Sequence, residues 1–243
     1  MEPELRKVGT RAGRLCTMVD LQAAKSMDLK IPPLGLAGTL NVPKDARGLV
    51  VFAHGSGSSR LSPRNTAVAS VLNGRGFGTL LFDLLTPHEE ADRANVFDIA
   101  LLAERLVDTV LWLGRQQPSI AALPIGLFGA STGAAAALVA AARLPERIGA
   151  VVSRGGRPDL AGNALPDVRA PTLLIVGGAD EGVIELNEEA LRHLRAPKAL
   201  EIVAGATHLF PEPGAMDAVI ELALQWFERY LQKAQDPYAG HRP

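Results

Sequence analysis

The sequence predicts an α/β fold: a mostly parallel sheet with helices on both faces. Short apolar segments recur along the chain and alternate with stretches of helical spacing. Those segments are continuously apolar rather than alternating with polar residues, as in strands buried on both faces. Glycine and proline, 24 and 17 of 243 residues, supply many turns between them.

Taken in order, segments 15–19 and 34–40 read as two early strands separated by Pro32 and Pro33. With no helix between them, they predict an antiparallel start to the sheet. Segment 48–54 (GLVVFAH) is short and rich in Val and Phe, and reads as a buried strand. Helical spacing over 63–73 precedes a strand at 78–82. Residues 97–115 predict a long amphipathic helix, with Leu101, Leu102, Leu106, Val110 and Leu113 at helical intervals. A strand at 125–128 leads into an Ala-rich helix, 132–143, that stops before Pro145. Strands are expected at 150–153, 172–176 and 199–203, and helices at 185–194 and 216–231. The tail beyond about 233 is polar and is expected to be loose. A single domain with its core over about 15–232 is the simplest organisation, since no linker, repeat or low-complexity segment interrupts it.

Composition excludes several classes. With 47% apolar and 21% charged residues, the chain is too apolar to be disordered. A formal charge of −1 argues against a generic nucleic-acid binder. The single cysteine, Cys16, excludes an intramolecular disulfide and a Cys-rich metal site. The longest apolar run, 134–142, is nine residues, short of the ~18–20 needed to span a bilayer. The first twenty residues carry Glu2, Glu4, Arg6, Lys7, Arg11 and Arg14, unlike a signal peptide. The expectation is a soluble cytoplasmic protein with no membrane or nucleic-acid partner; a homo-oligomer is left open.

In such sheets, sites lie at the carboxyl ends of strands, and four ends carry glycine-rich or polar punctuation. They are His54-Gly55-Ser56-Gly57-Ser58-Ser59, Gly129-Ala130-Ser131-Thr132-Gly133, Gly177-Gly178-Ala179-Asp180 and Ala204-Gly205-Ala206-Thr207-His208. Residues 129–133 read G-x-S-x-G. Alone, that pattern is weak and also fits a tight turn. Between an apolar strand and a small-residue helix, it suits a strained turn that projects a serine Oγ at the sheet edge. Ser131 is therefore the candidate nucleophile.

A serine hydroxyl needs a base, and histidine titrates in the right range. His54 reads as shaping its glycine-rich loop, His88 lies in a polar stretch, His193 falls late in a helix, and His241 is in the tail. His208, in a loop of small residues between a strand and the last helix, is the candidate base. The acid that orients it is expected to be Asp180, and the chain order Ser131, Asp180, His208 suits a G-x-S-x-G sheet. Asp159 is the alternative acid, and Asp83 reads as structural. Oxyanion donors are expected from the N–H of Thr132 and the N–H of Ser56. The loop holding Ser56 lacks the features of a phosphate-binding or dinucleotide motif.

Arg60, Arg64, Arg154 and Arg157 all fall on the candidate site's side of the sheet. They read either as a substrate-binding set for a carboxylate or phosphate, or as loop-ordering partners of Asp159, Asp167 or Glu181. Loop ordering is the favoured reading. Stretch 83–90 is expected to form another wall. His88, Glu89, Glu90 and Asp92 match no helical zinc spacing, so no metal is expected. The 154–170 connection is too short for a large cap domain.

These four motifs, in this order, resemble the α/β-hydrolase superfamily over about 34–231. Within it, segments 54–65, 129–133 and 177–180 look like dienelactone hydrolase-like proteins. The resemblance implies an eight-stranded, mostly parallel sheet, a Ser131–His208–Asp180 triad, and hydrolysis through an acyl-enzyme; such a mechanism needs no cofactor, and none is expected. Dienelactone hydrolases proper use a cysteine nucleophile, whereas position 131 is Ser. The expectation is a serine hydrolase acting on a small-molecule carboxylic ester, thioester or lactone. The alternatives are an acyltransferase or amide hydrolase on the same fold, or a non-catalytic hydrolase-like binding protein.

Overall fold

The computed structural model describes residues 26–116 and 118–231. Its strands are β1 (Met27–Ile31), β2 (Leu36–Asn41), β3 (Leu49–Ala53), β4 (Gly78–Phe82), β5 (Ile125–Ala130), β6 (Ile148–Arg154), β7 (Thr172–Gly177) and β8 (Lys198–Val203). They form one eight-stranded sheet in the order β1-β2-β4-β3-β5-β6-β7-β8. β2 is antiparallel to both β1 and β4, and every other pairing is parallel. The helices are α1 (Pro63–Gly74), α2 (Pro87–Glu90), α3 (Arg93–Phe97), α4 (Ile99–Leu113), α5 (Pro118–Ala121), α6 (Thr132–Arg143), α7 (Glu181–His193) and α8 (Ala215–Tyr230).

The two-residue period of a strand divides the core. In β3, Leu49, Val51 and Ala53 join one apolar cluster, while Val50 and Phe52 join another. The first cluster packs on α4 and α6, through Leu102, Leu106, Val110 and Leu138. The second packs on α1 and α8, through Val68, Leu72, Val219 and Phe227. Both faces of the sheet are thus covered, which is why its central strands carry no polar alternation.

The expected antiparallel start is present, but its strands are β1 and β2; segment 15–19 and the tail beyond 233 lie outside the described residues. β1 was not readable as a strand because only Ile31 in it is buried. The helix expected at 97–115 begins at Ile99, where the Asp98 carboxylate accepts from the Leu101 N–H at 3.0 Å. Phe97 instead closes the short α3. The helix expected at 185–194 starts earlier, because the Val183 and Ile184 N–H groups already donate to Asp180 O. Between β6 and β7 the chain forms a 3-10 segment, Pro158–Asp167, and no large cap domain. Among the described residues, no helix is long and apolar enough to cross a membrane.

Phe227 on α8 is fully buried, with its ring centroid 6.5 Å from that of Phe77. Phe227→Ala is expected to lower unfolding free energy by about 3–5 kcal/mol in urea titration. A loss well under 1 kcal/mol would contradict the packing of α8 on the sheet.

Candidate active site

β5 ends at Ala130 and α6 starts at Thr132, so Ser131 alone makes the turn. Its backbone lies at φ 51° and ψ −124°, which L-residues rarely adopt. The turn is pinned from the neighbouring strand end. The Ser131 N–H donates to Arg154 O at 3.4 Å, and the Arg157 N–H donates to Ser131 O at 3.1 Å. A Cβ on Gly133 would lie 2.3 Å from Ala53 O, and one on Gly129 would lie 2.4 Å from the Ala134 Cα. Only hydrogen at these two positions lets the start of α6 sit against the ends of β3 and β5. Ser131 is half-buried, and its side chain caps none of the helix N–H groups.

Asp180 and His208 meet through the pairing of β7 with β8. Past the strands, the Gly178 N–H donates to Val203 O and the Ala179 N–H to Ala206 O, at 2.8 and 2.9 Å. These bonds bring the two connections side by side. Asp180 stands at the N-cap of α7 but gives the helix no side-chain cap. Its Oδ2 lies instead 2.7 Å from His208 Nδ1. A carboxylate only accepts, so Nδ1 carries the hydrogen and a neutral ring presents Nε2 as a base. His208 keeps 38% of its side chain exposed.

The β6–β7 connection lies between Ser131 and His208. Arg154 O bonds the Ser131 turn, and the next residue, Gly155, packs beneath His208. Asn187 of α7 anchors this connection by donating to Gly156 O at 3.0 Å. Among the described residues, no hydrogen bond joins Ser131 Oγ to His208. Such bonds often tighten only when a substrate is bound.

The loop after β3 approaches Ser131 from the other side. A Cβ on Gly55 would lie 2.8 Å from the Ser131 Cβ. The two candidate oxyanion donors sit together: the Ser56 N–H donates to the Thr132 hydroxyl at 3.2 Å. That tether was not foreseen from sequence. His54 receives the Leu84 N–H on Nε2 at 3.1 Å, so its Nδ1 carries the hydrogen and donates to Gly55 O at 3.0 Å. Both ring nitrogens are occupied by backbone, and His54 braces the loop. The adjoining pocket is small and is lined by Ser56, Gly57, Leu85, Glu90, Val96 and Thr132.

The remaining candidates separate clearly. Arg60 binds Asp83 through its own N–H and through Nη1, both at 2.8 Å. Arg157 forms a two-pronged pair with Asp159 at 2.9 and 2.7 Å, so Asp159 is engaged there and not by His208. Arg64 and Arg154 form no ion pair among the described residues. Glu89 bonds the Thr86 N–H and pairs with Arg105; those bonds, led by the Thr86 N–H, hold its pKa below the usual carboxylate value. His88 is exposed, His193 pairs with Glu189 at 2.8 Å, and His241 lies outside the described residues. Among the described residues, no group of three or more His, Cys, Asp or Glu could hold a metal ion.

An eight-stranded sheet with a strained serine turn between β5 and α6, and a histidine–aspartate pair at the same edge, defines the α/β-hydrolase class. The chain belongs to the dienelactone hydrolase family, whose pattern matches residues 36–234. A dienelactone hydrolase structure from Anabaena variabilis is 54% identical, with a TM-score of 0.81 over 86% of this chain and 98% of that one. Est1E from Butyrivibrio proteoclasticus shares the fold at 17% identity, with a TM-score of 0.70 over 84% of this chain and 98% of its own. Two Mycobacterium tuberculosis proteins, from strains CDC 1551 and H37Rv, are 61% identical over 199 residues, 82% of this chain. They carry the provisional name phosphoribosyl transferase, and the matched region is 45% of their length.

Gly155 sits at φ +49°, and a Cβ there would lie 2.8 Å from His208 O and 3.4 Å from the Phe210 ring. Gly155→Ala is expected to destabilise the protein by about 1–3 kcal/mol, because strain and overlap act together. Gly182 in α7 has nothing within 4 Å, so Gly182→Ala is expected to change stability by less than ~1 kcal/mol, in the favourable direction. Urea titration of both variants checks this, and equal stabilities would contradict the close packing beneath His208.

Proposed function

We propose that this chain is a serine hydrolase that cleaves small carboxylic esters, thioesters or lactones through an acyl-enzyme. The observation that carries the reading is the 2.7 Å bond from His208 to Asp180, at the same sheet edge as the strained Ser131. Asp180 fixes the tautomer of His208 and stabilises the imidazolium that forms. His208 Nε2 takes the proton from Ser131 Oγ as the oxygen attacks the substrate carbonyl. The N–H groups of Thr132 and Ser56 then stabilise the oxyanion. In the resting site the Thr132 hydroxyl occupies the Ser56 N–H, and a negatively charged oxygen is the stronger acceptor for it. His208 passes its proton to the leaving alcohol, thiol or lactone oxygen. It next deprotonates water, which attacks the acyl group, releases the acid and returns the proton to Ser131. No cofactor enters these steps.

Membership of the dienelactone hydrolase family supports hydrolysis, and serine at position 131 supports ordinary esterase chemistry. The phosphoribosyl transferase name of the mycobacterial relatives is not extended to this chain, since the shared region is 45% of those proteins.

Ser131→Ala is expected to lower kcat/KM for p-nitrophenyl acetate by roughly 10⁴-fold or more, and His208→Ala by a similar factor. Asp180→Asn should cost somewhat less, because Ser131 and His208 both remain while His208 loses the acceptor that fixes its tautomer. Steady-state assays on folded variants check this, and wild-type rates in Ser131→Ala would sink the assignment.

A further inference from the structure

Eight threonines lie among the described residues. Seven of them donate their hydroxyl hydrogen, to backbone carbonyls, as Thr109 does to Arg105 O at 2.7 Å, or to side-chain oxygens, as Thr207 does to Glu212 at 2.6 Å. Thr132 does not. Its Oγ1 accepts the Ser56 N–H at 3.2 Å and, among the described residues, donates to nothing. The side chain is nevertheless buried, with Thr132 only 4% exposed. A buried donor without an acceptor costs free energy, so this hydroxyl stands out from the other seven.

The chain explains why the usual acceptor is missing. A threonine inside a helix ordinarily donates to the carbonyl three or four residues back, as Thr109 does in α4. Thr132 is the first residue of α6. Four residues before it is Phe128, which lies in β5 and is paired with both β3 and β6. The turn at Ser131 thus separates the hydroxyl from any preceding helical carbonyl. One lone pair of Oγ1 is turned to the Ser56 N–H, so the O–H bond points away from that nitrogen and is free to rotate about the Cβ–Oγ1 bond. Thr132 and Ser56 both line the adjoining pocket. The backbone N–H groups of the same two residues are the proposed oxyanion donors. An oxygen bonded to the Ser56 N–H takes the place that Oγ1 occupies at 3.2 Å in the resting site, and so lies beside Oγ1 itself.

We propose that the Thr132 hydroxyl is a catalytic group that donates a third hydrogen bond to the oxyanion. This deepens the serine-hydrolase reading and rests on it. In the resting site the hydroxyl accepts from Ser56 and its hydrogen is unused. When the carbonyl oxygen gains charge, it accepts the Ser56 N–H and the Thr132 O–H together. The hydroxyl keeps its proton throughout, and no covalent bond changes at Thr132. Its hydrogen finds a strong acceptor only when charge has developed, so the contact favours the transition state over the bound ester.

Thr132→Val keeps nearly the same shape and removes the hydroxyl. Both kcat and kcat/KM for p-nitrophenyl acetate are expected to fall together by roughly 100-fold, the lower end for loss of one oxyanion-hole donor. The inhibition constant of 1,1,1-trifluorobutan-2-one, whose adduct on Ser131 carries the oxyanion, should rise by a similar factor. Thr132→Ser should recover most of both, and Thr132→Ala should repeat the loss if Thr132→Val does not fold. Thr109→Val, buried on α4 and outside the pocket lining, should keep the wild-type rate. The Ser58 N–H bonds Gly55 O within the oxyanion loop, so its amide resonance reports whether the loop has moved. An unmoved Ser58 resonance with a lowered rate assigns the loss to the missing donor. A displaced Ser58 resonance, a wild-type rate in Thr132→Val, or a loss that Thr132→Ser leaves in place would overturn the proposal. If wild type neither hydrolyses the ester nor binds the ketone, the serine-hydrolase reading fails and the third donor falls with it; failure within an active wild type removes the third donor alone.

Discussion

The turn at Ser131 is the constraint on which the rest of the site depends. One residue must reverse the chain from a fully buried strand into a fully packed helix, and it does so at φ 51°. A backbone so disfavoured persists only where its surroundings over-determine it. Here they do. β3 and β6 flank β5, α6 presses onto the end of β3 through Gly133, and the β6 connection bonds both the N–H and the carbonyl of Ser131. The strain is thus carried by the centre of the sheet, where every neighbouring strand is buried.

The same sheet explains how residues distant in sequence arrive at one edge. Parallel strands end on the same side, so the connections after β3, β5, β6, β7 and β8 form a single rim. Asp180 is the first residue off β7 that could cap α7, and it turns to His208 instead. His208 rests on Gly155, and Gly155 follows the residue that pins Ser131. Proposed nucleophile, base and acid are therefore linked mechanically through the β6 connection, even though Ser131 Oγ and His208 share no hydrogen bond in this structure. Each proposed catalytic group is positioned by backbone that the core already holds rigid.

Much of this was legible in the sequence. Continuous apolar strands announced a covered parallel sheet, and the punctuation after each strand located Ser131, Asp180 and His208 on its rim. The edge strand β1 was not legible, because it buries only Ile31 and so lacks an apolar signature. The start of α7 was obscured by Gly182, a poor helix former that the helix tolerates in open space. Side-chain pairing was harder still. Arg60 with Asp83 joins residues 23 apart through two different strand ends, and the Thr132 hydroxyl on Ser56 spans 76 residues. No local pattern encodes such contacts. Arg60 and Arg157 are told apart from Arg64 and Arg154 only by their ion pairs with Asp83 and Asp159, which the folded loops make.

The most direct measurement is covalent labelling of the 243-residue chain with a fluorophosphonate, followed by intact mass and peptide mapping. One equivalent is expected, on Ser131 Oγ, because only a serine deprotonated by a neighbouring base displaces fluoride from phosphorus at neutral pH. Folded protein that takes up no label, or takes it up at another residue, would contradict the proposed nucleophile and the hydrolase mechanism built on it.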